Sequence, residues 1–275
     1  MFVNWQDFVL LVFSGALGGF LSGLLGVGGG IIFIPILEIV FRHYGLEADM
    51  VKYLLANSLG VIIFTGILNS IKQYQSKNFF FWYIIYTAIP GIATVLLFSQ
   101  LIAMGNWYDK KTFNLVFAAM LIPGLLRLFK DRKQESSDVE SKPTKSGFAL
   151  TGMVTGMFTA FSGLGGGVIM IPAFVNRLKL PIKVATSVSA GVVPFFALPT
   201  AIFYMFQQPT VVTSAIGHFG YILYPLIFPM VLGTLTTVSM GVKTGHQVKQ
   251  STVKIIFSVF VAVILIKILV ENIFY

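Results

Sequence analysis

The chain has 275 residues, 56% of them hydrophobic and only 11% charged, with a mean hydropathy of +0.86. A soluble domain carries roughly 25% charged residues, so this surface cannot be solvated by water and the composition points to an all-α polytopic protein whose main solvent is the lipid bilayer. The formal charge of +9 then reports Lys and Arg gathered in cytoplasmic loops and not a nucleic-acid partner, while zero cysteines exclude disulfides, thiolate metal sites and cysteine nucleophiles.

Residues 1–7 contain no Lys or Arg, so the basic start of a secretory signal is missing and the first apolar segment, from near Phe8, is expected to stay in the protein. It leads into Gly15-x3-Gly19-x3-Gly23 and then Gly26-Val27-Gly28-Gly29-Gly30-Ile31-Ile32-Phe33-Ile34-Pro35. The three glycines and Pro35 are expected to break the helix. The stretch after them, 31–42, rises only about 18 Å as a helix, too little to cross a bilayer. Spans of about 20 apolar residues are expected at 51–71, 80–102 and 113–129, and a polar linker at 131–146 follows.

The second half repeats this order. Gly152-x3-Gly156-x3-Ala160 precedes Gly163-Leu164-Gly165-Gly166-Gly167-Val168-Ile169-Met170-Ile171-Pro172, at a constant offset of 137 residues. Ala56-Asn57-Ser58 is matched to Ala185-Thr186-Ser187, and Thr112-x4-Phe117 to Thr252-x4-Phe257. Further spans are expected at 148–164, 182–206, 216–240 and 253–270. The chain thus reads as two membrane repeats, 1–130 and 147–275, joined by a cytoplasmic linker at 131–146. Such duplication, with paired helix interruptions, is the pattern of secondary transporters.

Basic residues discriminate between two topologies. If each broken element crosses the membrane, the 19 Lys and Arg divide almost evenly between the faces. If each enters and returns, fourteen fall on one face and five on the other (Arg42, Lys52, Lys110, Lys111 and Lys267). The positive-inside rule favours the second arrangement: inverted repeats, each with a glycine-broken first helix plus three further transmembrane helices.

Helix-breaking backbone at membrane depth is tolerated where it is buried in protein or lines a cavity. Gly28, Gly29 and Gly30, and again Gly165, Gly166 and Gly167, expose backbone N–H groups at a helix N-terminus, where the dipole attracts anions. The Gly-x3-Gly spacings upstream are read as helix packing. Asn57, Ser58, Thr65 and Asn69 form a polar stripe on one helix; Asn57, Ser58, Thr186 and Ser187 occupy matched positions and join the glycines as substrate-binding candidates. No Asp or Glu is expected within the core of a span, which disfavours proton relays and cation paths. His218 and His246 fall near helix ends. An intramembrane hydrolase using Ser162 and His218 would need a serine hydrogen-bonded to a histidine, but the repeat partner of Ser162 is Leu25.

The doubled Gly-x-Gly-Gly-Gly-x4-Pro element, with Asn57-Ser58 or Thr186-Ser187 following, resembles the TauE/SafE family of membrane permeases over essentially the whole chain outside the linker. The resemblance implies a non-enzymatic, cofactor-free, multi-pass protein of the cell inner membrane that exports a small sulfur-containing anion, sulfite or an organosulfonate such as sulfoacetate. Asn57 departs from the Thr common before this Ser in the family. A different small solute and assembly as a homodimer are left open.

Overall fold

The computed structural model describes residues 4–105, 107–130, 143–210 and 217–248, and positions 252, 255, 258, 259, 262, 265 and 266; residues 120, 121, 123–130 and 246 are described by backbone alone. Most of the linker and of the last expected span, the Thr252–Phe257 match and the His246 imidazole therefore lie outside the described residues. Among the described residues nine α-helices run in order: α1 Trp5–Leu25, α2 Gly30–His43, α3 Met50–Gln75, α4 Phe81–Met104, α5 Lys110–Lys130, α6 Lys145–Ser162, α7 Gly167–Asn176, α8 Ile182–Met205 and α9 Tyr224–Gln247. No strand occurs among the described residues; one bridge joins Phe219 and Ile222. Five helices among the described residues are long and apolar enough to cross a membrane: α1, α3, α4, α8 and, over Tyr224–Gly245, α9.

Contacts at the helix ends define two faces. Asp7 near the start of α1 accepts from Tyr44 Oη at 3.1 Å and pairs with His43 Nδ1 at 3.2 Å, where α2 ends. The pair α1–α2 therefore leaves from and returns to one face. The pair α6–α7 does the same at the other face: Phe148 meets the Phe174 ring at 5.6 Å, and Leu178 occupies the space beside Gly147. The first face also holds the start of α3, where Asp49 accepts from Thr210 N–H at 2.7 Å, and the start of α5, where Lys110 reaches Glu38 at 2.9 Å. At the second face Asn78, before α4, donates to the Lys183 carbonyl at the start of α8.

The long helices pair across the chain: α1 lies along α9, α4 along α6, and α3 along α8. Small residues permit the approach. Gly19 abuts Thr234 Cα and Gly23 abuts Val242 N, each 2.8 Å or less from where a side chain would start, and a Cβ on Gly91 would lie 2.9 Å from the Gly152 carbonyl oxygen. Without a hydrophobic drive between helices in lipid, such packing and interhelical hydrogen bonds supply association. All three tryptophans sit exposed at helix ends: Trp5 and Trp107 at the first face, Trp82 at the second. Those are the depths at which aromatic residues anchor in a bilayer interface.

Two expectations are corrected. Pro35 does not break the helix: it is the sixth residue of α2, and Pro172 is the sixth of α7. Each removes one donor to a carbonyl four residues back, a loss the short helices absorb, and the break itself is made by positive-φ glycines alone. The span expected at 216–240 begins instead at Tyr224 and runs to Gln247. Gly220, at φ 55°, and the Phe219–Ile222 bridge make a tight turn first, and Pro225 starts the helix, where a missing N–H is tolerated.

Candidate functional site

The two breaks have nearly the same backbone. α1 ends at Gly26 (φ 71°), whose N–H donates to Ser22 O at 2.8 Å; α6 ends at Gly163 (φ 67°), whose N–H donates to Thr159 O at 2.9 Å. Gly28 and Gly29 follow at φ 91° and 82°, Gly165 and Gly166 at 77° and 82°. Left-handed backbone of this kind is open to glycine and strained for a residue with Cβ. Gly29 and Gly166 then act as N-caps without a side-chain bond.

The first intrahelical donors are Ile32 N–H to Gly29 O at 3.0 Å and Ile169 N–H to Gly166 O at 3.1 Å. The N–H groups of Gly28, Gly29, Gly30 and Ile31, and of Gly165, Gly166, Gly167 and Val168, have no acceptor among the described residues. Six of these eight residues are glycine, the other two, Ile31 and Val168, are each second in their helix, and all eight are buried.

These two sets of donors meet. A Cβ on Gly30 would lie 2.9 Å from Leu164 Cα, and one on Gly167 only 2.6 Å from Val27 Cα, so each helix start is pressed against the opposite break. Ile62 of α3 and Val193 of α8 cover both: a Cβ on Gly28 would be 3.4 and 3.3 Å from their methyl groups, and one on Gly165 3.1 and 3.2 Å. The arrangement is two positive helix ends around one point, closed by a pair of aliphatic side chains. Chemically it offers neutral donors to an anion.

Side chains from α3 and α8 hold the breaks. Ser58 Oγ donates to Gly163 O at 3.1 Å, Ser189 Oγ to Gly26 O at 2.9 Å, and Thr65 Oγ1 approaches Gly28 O at 3.3 Å. Of the residues expected to join the glycines, Ser58 does. Asn57 is spent elsewhere: its amide donates to Tyr53 O and Tyr221 O, both at 2.8 Å, and its oxygen accepts from Leu223 N–H at 2.7 Å, fixing the turn before α9. Thr186 donates to Lys183 O, although its own backbone abuts Gly26. Ser187 donates to Asn78 O at the entry to α4. Ser189 therefore makes the contact that mirrors that of Ser58, whereas the Ala-x-Ser match pairs Ser58 with Ser187. The sequence held the signal in Ser58-Leu59-Gly60-Val61 and Ser189-Ala190-Gly191-Val192, an offset of 131. That register also pairs Ile62 with Val193.

Glu38 is a buried charge outside the expected spans. It lies in the short helix α2 with 3% exposure. Arg42 at 3.1 Å and Lys110 at 2.9 Å compensate it, so it enters the interior as part of an ion cluster, as buried charges must. Nearby, Asp109 caps α5; its side chain accepts from Thr112 N–H at 2.8 Å. Hydrogen bonding to Thr112 holds its carboxyl below the usual range.

The hydrolase geometry is not formed. Ser162 Oγ donates to Phe158 O and accepts from Leu164 N–H, and His218 Nδ1 is buried without a partner. Among the described residues, Ser22 Oγ and Asn69 Oδ1, beside the end of α1, are also buried without a partner. Buried groups of this kind are rare in folded proteins.

The sequence matches the family described as Sulfite exporter TauE/SafE over residues 11–268. It is similar to a probable membrane transporter protein of Methanocaldococcus jannaschii, 28% identical over 90% of each chain. Another similar protein, a probable membrane transporter of Haemophilus influenzae, is 26% identical over 94% of this chain and 97% of its own. A third, the probable membrane transporter protein YunE of Bacillus subtilis, is 24% identical over 98% and 100%. With five apolar helices of spanning length among the described residues and a family match over nearly all of its length, this is a multi-pass membrane protein, and the chain belongs to the TauE/SafE family of membrane transporters.

Proposed function

We propose that the chain is a permease for a small sulfur-containing anion, sulfite or an organosulfonate, exported across the cell inner membrane through the paired glycine breaks. The observation that carries this reading is the meeting of two helix N-termini without side-chain caps, at Gly28–Gly30 and Gly165–Gly167, with no acidic residue against them among the described residues. An anion held there is stabilised by fixed dipoles and needs no counter-charge from a side chain. In this reading the halves 1–130 and 147–275 are inverted repeats about that point, joined by the cytoplasmic linker 131–146. Reciprocal bonds from Ser58 and Ser189, and hairpins entering from opposite faces, support it.

The second face is then cytoplasmic. It carries Lys72, Lys77, Lys145, Arg177, Lys179, Lys183 and Lys243, against Arg42, Lys52, Lys110 and Lys111 on the first. Ile62 and Val193 close the centre in the present conformation, and the anion passes when they part. Expelling one negative charge from a negative interior is favoured by about 2.3 kcal/mol per 100 mV, so export proceeds without a proton relay. The test is thermal stabilisation of the purified protein by sulfite, sulfoacetate, taurine, sulfate and chloride. A native-state ligand stabilises as RT ln(1 + [L]/Kd), so sulfite or sulfoacetate should stand clear of chloride; equal shifts from all five contradict the reading.

A further inference from the structure

The second face holds a concavity of about 320 Å3 between the C-terminal ends of α3 and α9, lined by Lys72, Gln75, Ser76, Ser239, Lys243 and Gln247, with Val242 on its inner side. Two lysines and several residues with neutral donors line it, the Lys72 ammonium donating to Gln75 Oε1 at 3.2 Å, and no carboxylate lines it among the described residues. Lysines at helix C-termini are favourable by themselves, yet the cations of the opposite face behave differently. There Arg42 and Lys110 pair with Glu38, and Lys52 with Asp49. Lys72 and Lys243 make no ion pair among the described residues. Like charges gathered in a cleft with low-dielectric walls raise the local anion concentration.

A polar route leads inward from this pocket. Asn69 lies one turn deeper than Lys72 on α3 and donates to Ser22 O at 2.7 Å. Its Oδ1 and the Ser22 hydroxyl are buried and unpartnered. Val242 N lies 2.8 Å from the missing side chain of Gly23, so the wall of the pocket is also the wall of the α1 tip. One turn on, the Gly26 N–H donates to Ser22 O and the first break begins.

We propose that this pocket is a second, peripheral anion site, an antechamber that captures a small sulfur oxyanion from the cytoplasm and passes it by Ser22 and Asn69 to the glycine breaks. The proposal rests on the permease reading above. Its ligand is a free oxyanion of one or two negative charges, held by Lys72 and Lys243 and oriented by the neighbouring hydroxyls and amides.

The chain has no cysteine, so one small reporter can be placed without background. The experiment follows fluorine NMR of a trifluoroethyl group on Ser76→Cys, in phosphatidylcholine nanodiscs at fixed ionic strength, during titration with sulfite. A saturable shift is expected. Its half-saturation should rise about five- to tenfold when Lys72→Gln and Lys243→Gln are combined, and stay near the starting value with Lys179→Gln, a cation of the same face outside the pocket. A response identical with chloride, or unchanged in the double lysine variant, overturns the proposal. So does phosphatidylglycerol reproducing the sulfite shift and blocking it, which would make a lipid headgroup the occupant. In proteoliposomes the double lysine variant should show a raised half-saturation for sulfite export with its maximal rate kept. A saturable titration without any flux from the unsubstituted protein would keep the anion site and sink the permease reading instead.

Discussion

Ser58 on α3 donates its hydroxyl hydrogen to the carbonyl of Gly163, 105 residues later, at 3.1 Å. The converse bond runs from Ser189 on α8 to Gly26 at 2.9 Å. Each central helix thus grips the broken hairpin of the opposite half, and the paired bonds tie the two halves together at the point where both helices start.

From this follows a discriminating set of serine substitutions. Ser58→Ala and Ser189→Ala each remove the side-chain donor to a buried carbonyl, at a cost of about 1–3 kcal/mol. Both should lower the melting temperature by several degrees and weaken anion binding measured by calorimetry. Ser187→Ala removes only the bond to Asn78 at the entry to α4 and should leave anion affinity unchanged. Loss of affinity in Ser187→Ala with none in Ser189→Ala would reverse the assignment.

The helical class, five of the apolar spans and the glycine breaks are legible because each has a local signature: hydropathy over a spanning length, or Gly-x-Gly-Gly-Gly followed by Pro; the segments expected at 113–129 and 148–164 form helices that are not among those five. What escaped depends on partners distant in sequence. Asn57 looks like a ligand donor beside Ser58, yet its amide is consumed by Tyr221 and Leu223 in a turn that begins 164 residues on. Glu38 looks misplaced in an apolar segment until Lys110 arrives from α5. Ser189 was readable, but only by preferring the Ser-x-Gly-Val register over the Ala-x-Ser one.

Glycine substitutions separate backbone strain from packing. Gly45 (φ 69°) has nothing within 4 Å of a new Cβ, whereas on Gly29 (φ 82°) it would meet Gly18 O and Phe33 Cζ at 2.8 Å. Left-handed strain of about 1–2 kcal/mol is common to both; overpacking adds about 1–3 kcal/mol at Gly29. Gly45→Ala should fold and transport with a small loss of melting temperature, while Gly29→Ala should lose considerably more and stop flux. Equal losses would mean the close packing at the break is unimportant.

Topology is testable on the same cysteine-free background. Asn4 and Ala48 are exposed at the first face and Ser146 at the second. In right-side-out vesicles an impermeant maleimide should label Asn4→Cys and Ala48→Cys but not Ser146→Cys. Labelling of Asn4→Cys and Ala48→Cys from opposite sides would break the hairpin description.

The aliphatic pair over the breaks should act as a seal. Val193→Ala shortens one of the two side chains that cover both Gly28 and Gly165, and a buried truncation of this kind destabilises only modestly when the site can collapse. Chloride leak through proteoliposomes should rise in Val193→Ala and rise further with Ile62→Val added. Leak at the unsubstituted level in the double variant would remove these residues from the transport path.

The central claim is that the paired glycine breaks carry a small sulfur anion through the membrane. Its most direct test is sulfite flux from proteoliposomes holding the purified protein, with an imposed membrane potential and no pH gradient. An interior-negative potential should drive sulfite out, in proportion to the 2.3 kcal/mol or so per 100 mV that each charge gains; Gly166→Ala, whose Cβ at φ 82° would lie 2.7 Å from Thr159 Oγ1, should abolish it. Flux that ignores the potential and requires a pH gradient, or that survives in Gly166→Ala, would contradict the account.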